Sequence, residues 1–347
     1  MRHSRNRYAQ GAATIAGAPP AKKADVAPSA TPATTSAMPP EEDASGAAHV
    51  ATRAVEFTAL LIVIGGLAFV AFVIRRMTDV SDATRDVTRV RAARLVAVAA
   101  AVLLASAVAR LVLQGRMMSG MMQTRVSLGD IVSGTAWGQA WLAQVIAAAV
   151  VLVAMRFAPR AGNAAWTLAA IGALGLAATP ALSGHAGAAP RWTMLAIGTD
   201  TLHVIGAAGW LGSLLFVLAA GVPALATASV ESRWSAIASL VNAFSPVALT
   251  FAALVVSTGV VSATLRLGSL SALWSSSYGR VLLVKLACLS GVVGTGAFNW
   301  LRVRPTLGTE HASARLRRSA SIELAIGILV LIVTAVLVAT STPGDVS

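Results

Sequence analysis

Asp200 and His203 stand three residues apart in the run GTDTLHVIGAAGWLG, so on a helix they share one face. Both lie inside a long apolar stretch, residues 194 to 219. An ionisable side chain is costly in a bilayer, and its presence there marks a candidate functional site. His185 precedes the same stretch in SGHAGAAP, a loop of small residues, so one carboxylate and two imidazoles can converge. Imidazole suits copper, zinc and nickel, and a carboxylate can complete such a set. The competing reading is that Asp200 and His203 hydrogen-bond each other or a neighbouring helix as polar glue, with His185 merely hydrated.

A second cluster is Met117, Met118, Met121 and Met122 in GRMMSGMMQTR, placed by hydropathy in an outward loop. Thioethers are soft ligands that favour Cu(I). If the stretch is helical, Met118, Met121 and Met122 fall on one side, positioned to gather an ion above the Asp200–His203 pair. Methionine is equally an adaptable apolar filler, and both readings stand. Lys285 follows Tyr278-Gly279-Arg280, and its ammonium can pair with Asp200 or hold a helix terminus. Arg110 is expected to snorkel to the headgroups. Glu56, Glu323 and Asn299 lie near span ends and read as structural.

These residues need a scaffold, and composition says what kind. Of 347 residues, 56% are hydrophobic and 12% are charged, about half the charged fraction usual in soluble proteins. Eight apolar runs, at 55–74, 95–114, 137–157, 164–182, 194–219, 237–264, 280–301 and 321–340, are each near the length that crosses a bilayer. Lipid offers no partner to an exposed backbone group, so each run must be a helix. The expected fold is an all-α transmembrane bundle of about eight helices.

Alternate loops differ in arginine. One set carries fourteen, among them Arg75, Arg85, Arg156, Arg233 and Arg302; the other carries five: Arg116, Arg125, Arg191, Arg266 and Arg280. The positive-inside rule puts the richer set in the cytoplasm and both termini outward. The net charge of +13 is therefore loop charge setting topology, and no nucleic-acid partner is expected. Residues 1–54, rich in Ala, Pro, Thr and Ser, read as a disordered tail without a cleavable leader. The lone Cys288 reads as a small apolar residue. Phosphate-loop, CxxC and HExxH motifs are absent from the sequence, and no catalytic residue is expected.

The last three spans carry a denser pattern: Phe244-Ser245-Pro246, Thr258-Gly259, Leu267-Gly268, Leu273-Trp274, Tyr278-Gly279-Arg280, Lys285, Asn299, Pro305, and Arg317-Arg318 with Glu323. In this order they resemble the copper resistance protein D (CopD) family. LSGHAG and DTLHVIGAAGWLGSL upstream extend the resemblance to about residues 180–340. It implies helices one to five over 55–235 and a CopD-like unit over 236–341. It further implies a multi-pass protein of the bacterial inner membrane that handles copper beside a separate periplasmic CopC-type protein. Trp300 stands where the family usually has a basic residue. The expected function is a copper permease working from periplasm toward cytoplasm, with His185, Asp200 and His203 as ligands. A b-type haem electron carrier, or a non-transporting partner of a periplasmic copper protein, are the alternatives.

Overall fold

Ser81 accepts a hydrogen bond from the Thr84 amide, and from that cap α2 runs from Asp82 to Met122. Thr135 caps α4, Ala136–Leu182, in the same way through the Gly138 amide, and Ser276 caps α8, Ser277–Phe298, through the Gly279 amide. The computed structural model describes residues 40–78, 80–183, 193–226, 230–303 and 310–340. The remaining elements are α1, Pro40–Ala68; the short α3, Leu128–Gly134; α5, Thr193–Ala207; α6, Val230–Leu267; the single turn α7, Ala272–Ser275; and α9, Glu310–Ala339. All elements among the described residues are helical, as expected.

Among the described residues, seven helices are long and apolar enough to cross a membrane. The 47-residue α4 is the exception to one helix per crossing. A straight helix of that length would extend ~70 Å, against a hydrocarbon core of ~30 Å. Gly162, at φ 53° and ψ −128°, breaks it in a backbone region open mainly to glycine. The two halves then fold back on each other: a Cβ built on Gly172 would lie 2.9 Å from Val151, and one on Gly175 would lie 3.6 Å from the Cβ of Ala147. Seven helices thus supply eight crossings, in line with the eight apolar runs.

Two helices extend beyond their expected bounds. α1 begins at Pro40, so residues 40–54 are helical where a tail to residue 54 was expected. α2 likewise carries its apolar run outward as far as Met122.

Pro40–Ser347 forms one compact unit. Its middle is α1 and the π turn Phe69–Val73 that continues it, where Leu60, Val63, Phe69 and Val73 are almost completely buried. α1 and α5 meet backbone to backbone: a Cβ on Gly65 would lie 2.4 Å from the Gly212 Cα and 2.7 Å from the Ala208 carbonyl oxygen. Only glycine allows that approach, the small-residue contact that drives helix association where water supplies no hydrophobic force. α5 continues through a π turn at Ala208–Gly212, one α turn at Ser213–Phe216, a second π turn at Val217–Gly221 and a last turn at Val222–Leu225. α6 and α8, by contrast, present large apolar side chains outward, Leu249 and Val284 among them, as lipid-facing helices do.

Candidate functional site

Helix α5 brings Asp200 and His203 to the same neighbour, α6, which meets them with a stripe spaced four residues apart: Thr258, Ser262 and Arg266. Ser262 Oγ donates to Asp200 Oδ1 at 2.9 Å, and the Arg266 guanidinium donates to Asp200 Oδ2. His203 Nδ1 lies 3.0 Å from Thr258 Oγ1. The Thr258 hydroxyl spends its one proton on the Leu254 carbonyl at 2.6 Å, so it accepts from His203 and Nδ1 is the protonated nitrogen. The Val255 carbonyl is a second acceptor for the ring, and an imidazole nitrogen with a free lone pair is the form that ligates metals. Gly259 makes the room: a Cβ there would sit 3.3 Å from the imidazole Cε1.

α8 closes the third side. The buried Tyr278 hydroxyl accepts from Arg266, and Lys285 lies within electrostatic reach of Asp200, Arg266 and His203. The expected Lys285–Asp200 proximity is there, but the hydrogen-bonded partner is Arg266. One carboxylate therefore faces two basic side chains, of which Arg266 is hydrogen-bonded to it. Among the described residues no group of three or more His, Cys, Asp or Glu is placed to hold a metal ion. His185, the third proposed ligand, lies outside the described residues.

The four methionines are in the last turns of α2, not in a loop. Met117, Met121 and Met122 are exposed, Met121 by 78%.

A second polar cluster is more deeply buried. Arg110 of α2 donates to Glu56 Oε1 of α1 at 2.5 Å and to Gln144 Oε1 of α4 at 2.9 Å, while Gln144 Nε2 donates to Glu56 Oε1 at 2.9 Å. The Trp137 ring stacks 5.5 Å from the guanidinium. Arg110 is 4% exposed, so it does not snorkel; its charge is met inside the bundle, which costs less than dragging a buried helix toward the headgroups. The signal was in the sequence, since each of the first three apolar runs holds one such residue, Glu56, Arg110 or Gln144.

At the opposite end of the bundle a cavity of about 660 Å³ opens between α5, α6, α8 and α9, walled by Trp210, Trp234, Phe244 and Trp300. Asn299 and Glu323 supply its polar edge. The Glu323 carboxylate is buried and accepts from the Trp210 indole and, at 3.4 Å, from Asn299 Nδ2. Trp210 lies seven residues, ~10 Å, along the helix from His203.

The family model described as copper resistance protein D matches residues 238–337, which hold Thr258, Arg266, Tyr278, Lys285 and Glu323. The model described as copper resistance protein D-like, N-terminal domain, matches residues 42–195 and with them the Glu56–Arg110–Gln144 cluster. The copper transport protein CutJ of Bacillus subtilis (strain 168) is 28% identical over 215 residues, 61% of this chain but 38% of that relative, so the chain spans much less than the relative's full length. No solved structure matches. Two family models over separate parts of the chain, a copper-transport relative and an all-helical membrane bundle lead to one statement: the chain belongs to the copper resistance protein D family.

Proposed function

We propose that this protein is a copper permease of the bacterial inner membrane, taking copper from the periplasmic side toward the cytoplasm. The observation that carries the reading is the facing of Asp200 and His203 onto the Thr258–Ser262–Arg266 stripe inside the bundle. The imbalance of loop arginine supports outward termini and hence an outward position for this cluster. A copper ion competes with Arg266 for the Asp200 carboxylate, with His203 and His185 as nitrogen ligands. The methionines of α2 serve as an accessory station, and Asn299 edges the cavity into which the ion passes. A separate CopC-type protein delivers the ion, and no covalent chemistry is required.

The test is total cellular copper in strains expressing wild type, Asp200→Ala or His203→Ala at matched protein levels. Copper accumulation is expected to fall in both variants. Equal copper in all three overturns the permease reading and leaves a non-transporting partner of a periplasmic copper protein. A Soret band in the purified protein would instead support haem electron transfer.

A further inference from the structure

The contact between Glu56 and Arg110 fixes the register of the antiparallel pair α1–α2. Seven residues toward the outer end on each helix, ~10 Å further along both axes, His49 stands level with Met117. Seven residues are close to two full turns, so His49 keeps the face of Glu56 and Met117 keeps the face of Arg110. Met121, one turn beyond Met117, lies on that same face of α2. His49 is half-buried and within electrostatic reach of Arg110, as a residue turned toward α2 must be.

The methionines are not filling a gap in the core, because Met117 is 45% and Met121 is 78% exposed. Nor does their setting suit lipid contact, since Arg116, Ser119, Gln123, Thr124 and Arg125 surround them in sequence. Two thioethers and an imidazole on the same end of two packed helices, Met117 and Met121 accessible from outside, form a soft donor set that suits Cu(I) over harder ions. We propose that His49, Met117 and Met121 form a cuprous-ion capture site at the outer end of the α1–α2 pair. It deepens the copper-permease reading, resting on it for the cargo, and supplies a first contact remote in sequence from Asp200 and His203.

The test is Cu(I) affinity of the full-length, detergent-purified protein in competition with bathocuproine disulfonate, joined to X-ray absorption of the copper-loaded sample. His49→Gln and the double variant Met117→Leu/Met121→Leu are each expected to weaken the affinity at least tenfold. Leucine in place of methionine conserves volume, and size-exclusion profiles identify any variant that misfolds. The spectrum of wild type is expected to show sulfur with nitrogen in the first shell. Unchanged affinity in both variants, or a shell without sulfur, overturns the site. Affinity of the purified protein reads the site and cellular copper reads the permease, so the two are tested separately. Wild-type copper accumulation in His203→Ala and Asp200→Ala cells overturns the second without touching the first.

Discussion

Arg266 of α6 reaches across sixty-six residues of chain to the Asp200 carboxylate of α5 and takes the position there that a bound cation would take. Tyr278 holds the same guanidinium from α8, so three helices are tied at one point. A charge-assisted contact of this kind is stronger than a neutral hydrogen bond, and its donor must leave before a metal can use that oxygen.

Replacing Arg266 with methionine should therefore tighten copper binding at the Asp200–His203 cluster by about tenfold, or ~1.4 kcal/mol. Copper titration of the purified variant, in a Met117→Leu/Met121→Leu background that silences the α2 methionines, measures this directly. An affinity equal to that of the background alone would show that Arg266 and the ion do not compete.

The Glu56–Arg110–Gln144 cluster should behave in the opposite way, as a structural lock. Arg110→Ala leaves the fully buried Glu56 carboxylate with only Arg53, 3.4 Å from its other oxygen, a loss toward the low end of the about 3–5 kcal/mol that breaking a buried pair costs. The triple replacement of Glu56, Arg110 and Gln144 by methionine should cost much less, because no buried charge is stranded. Thermal unfolding in detergent, followed by fluorescence-detected size exclusion, ranks the two. A triple variant less stable than Arg110→Ala would contradict the account.

The fold-back of α4 can be trapped chemically. A Cβ at Gly175 would lie 3.6 Å from the Cβ of Ala147, within the range spanned by disulfides. In a Cys288→Ser background, Ala147→Cys with Gly175→Cys should form an intramolecular bond under mild oxidation, detected by mass spectrometry of the tryptic digest. Failure to cross-link would argue for a single long helix.

How much could be read from the sequence differs by residue. Asp200 and His203 were legible because both sit inside one apolar run at helical spacing, and the turn at Gly162 because it separates two runs. Arg266 was not, since it lies two residues past the run at 237–264 and resembles an ordinary loop charge, whereas α6 continues to Leu267. Hydropathy marks where lipid ends, not where hydrogen bonding along a helix ends. The same distinction explains residues 40–54 and the methionines of α2, helical beyond their apolar runs. Glu56 and Arg110 were visible singly and Gln144 was passed over, because their union depends on the registers of α1, α2 and α4, which no local pattern encodes.

The π turn at Ala208–Gly212 changes what the helix through α5 can address. On an unbroken α-helix His203 and Trp210, seven residues apart, would point the same way. Instead His203 engages Thr258 of α6 and Trp210 engages Glu323 of α9. A π turn absorbs one surplus residue, worth ~100° of rotation on a 3.6-residue screw. Deleting any single residue between Ala208 and Gly212 would thus re-aim the whole inner half of that helix and pull Trp210 off Glu323. Chain length at this turn, more than the identity of any side chain in it, sets which neighbours the two halves can serve.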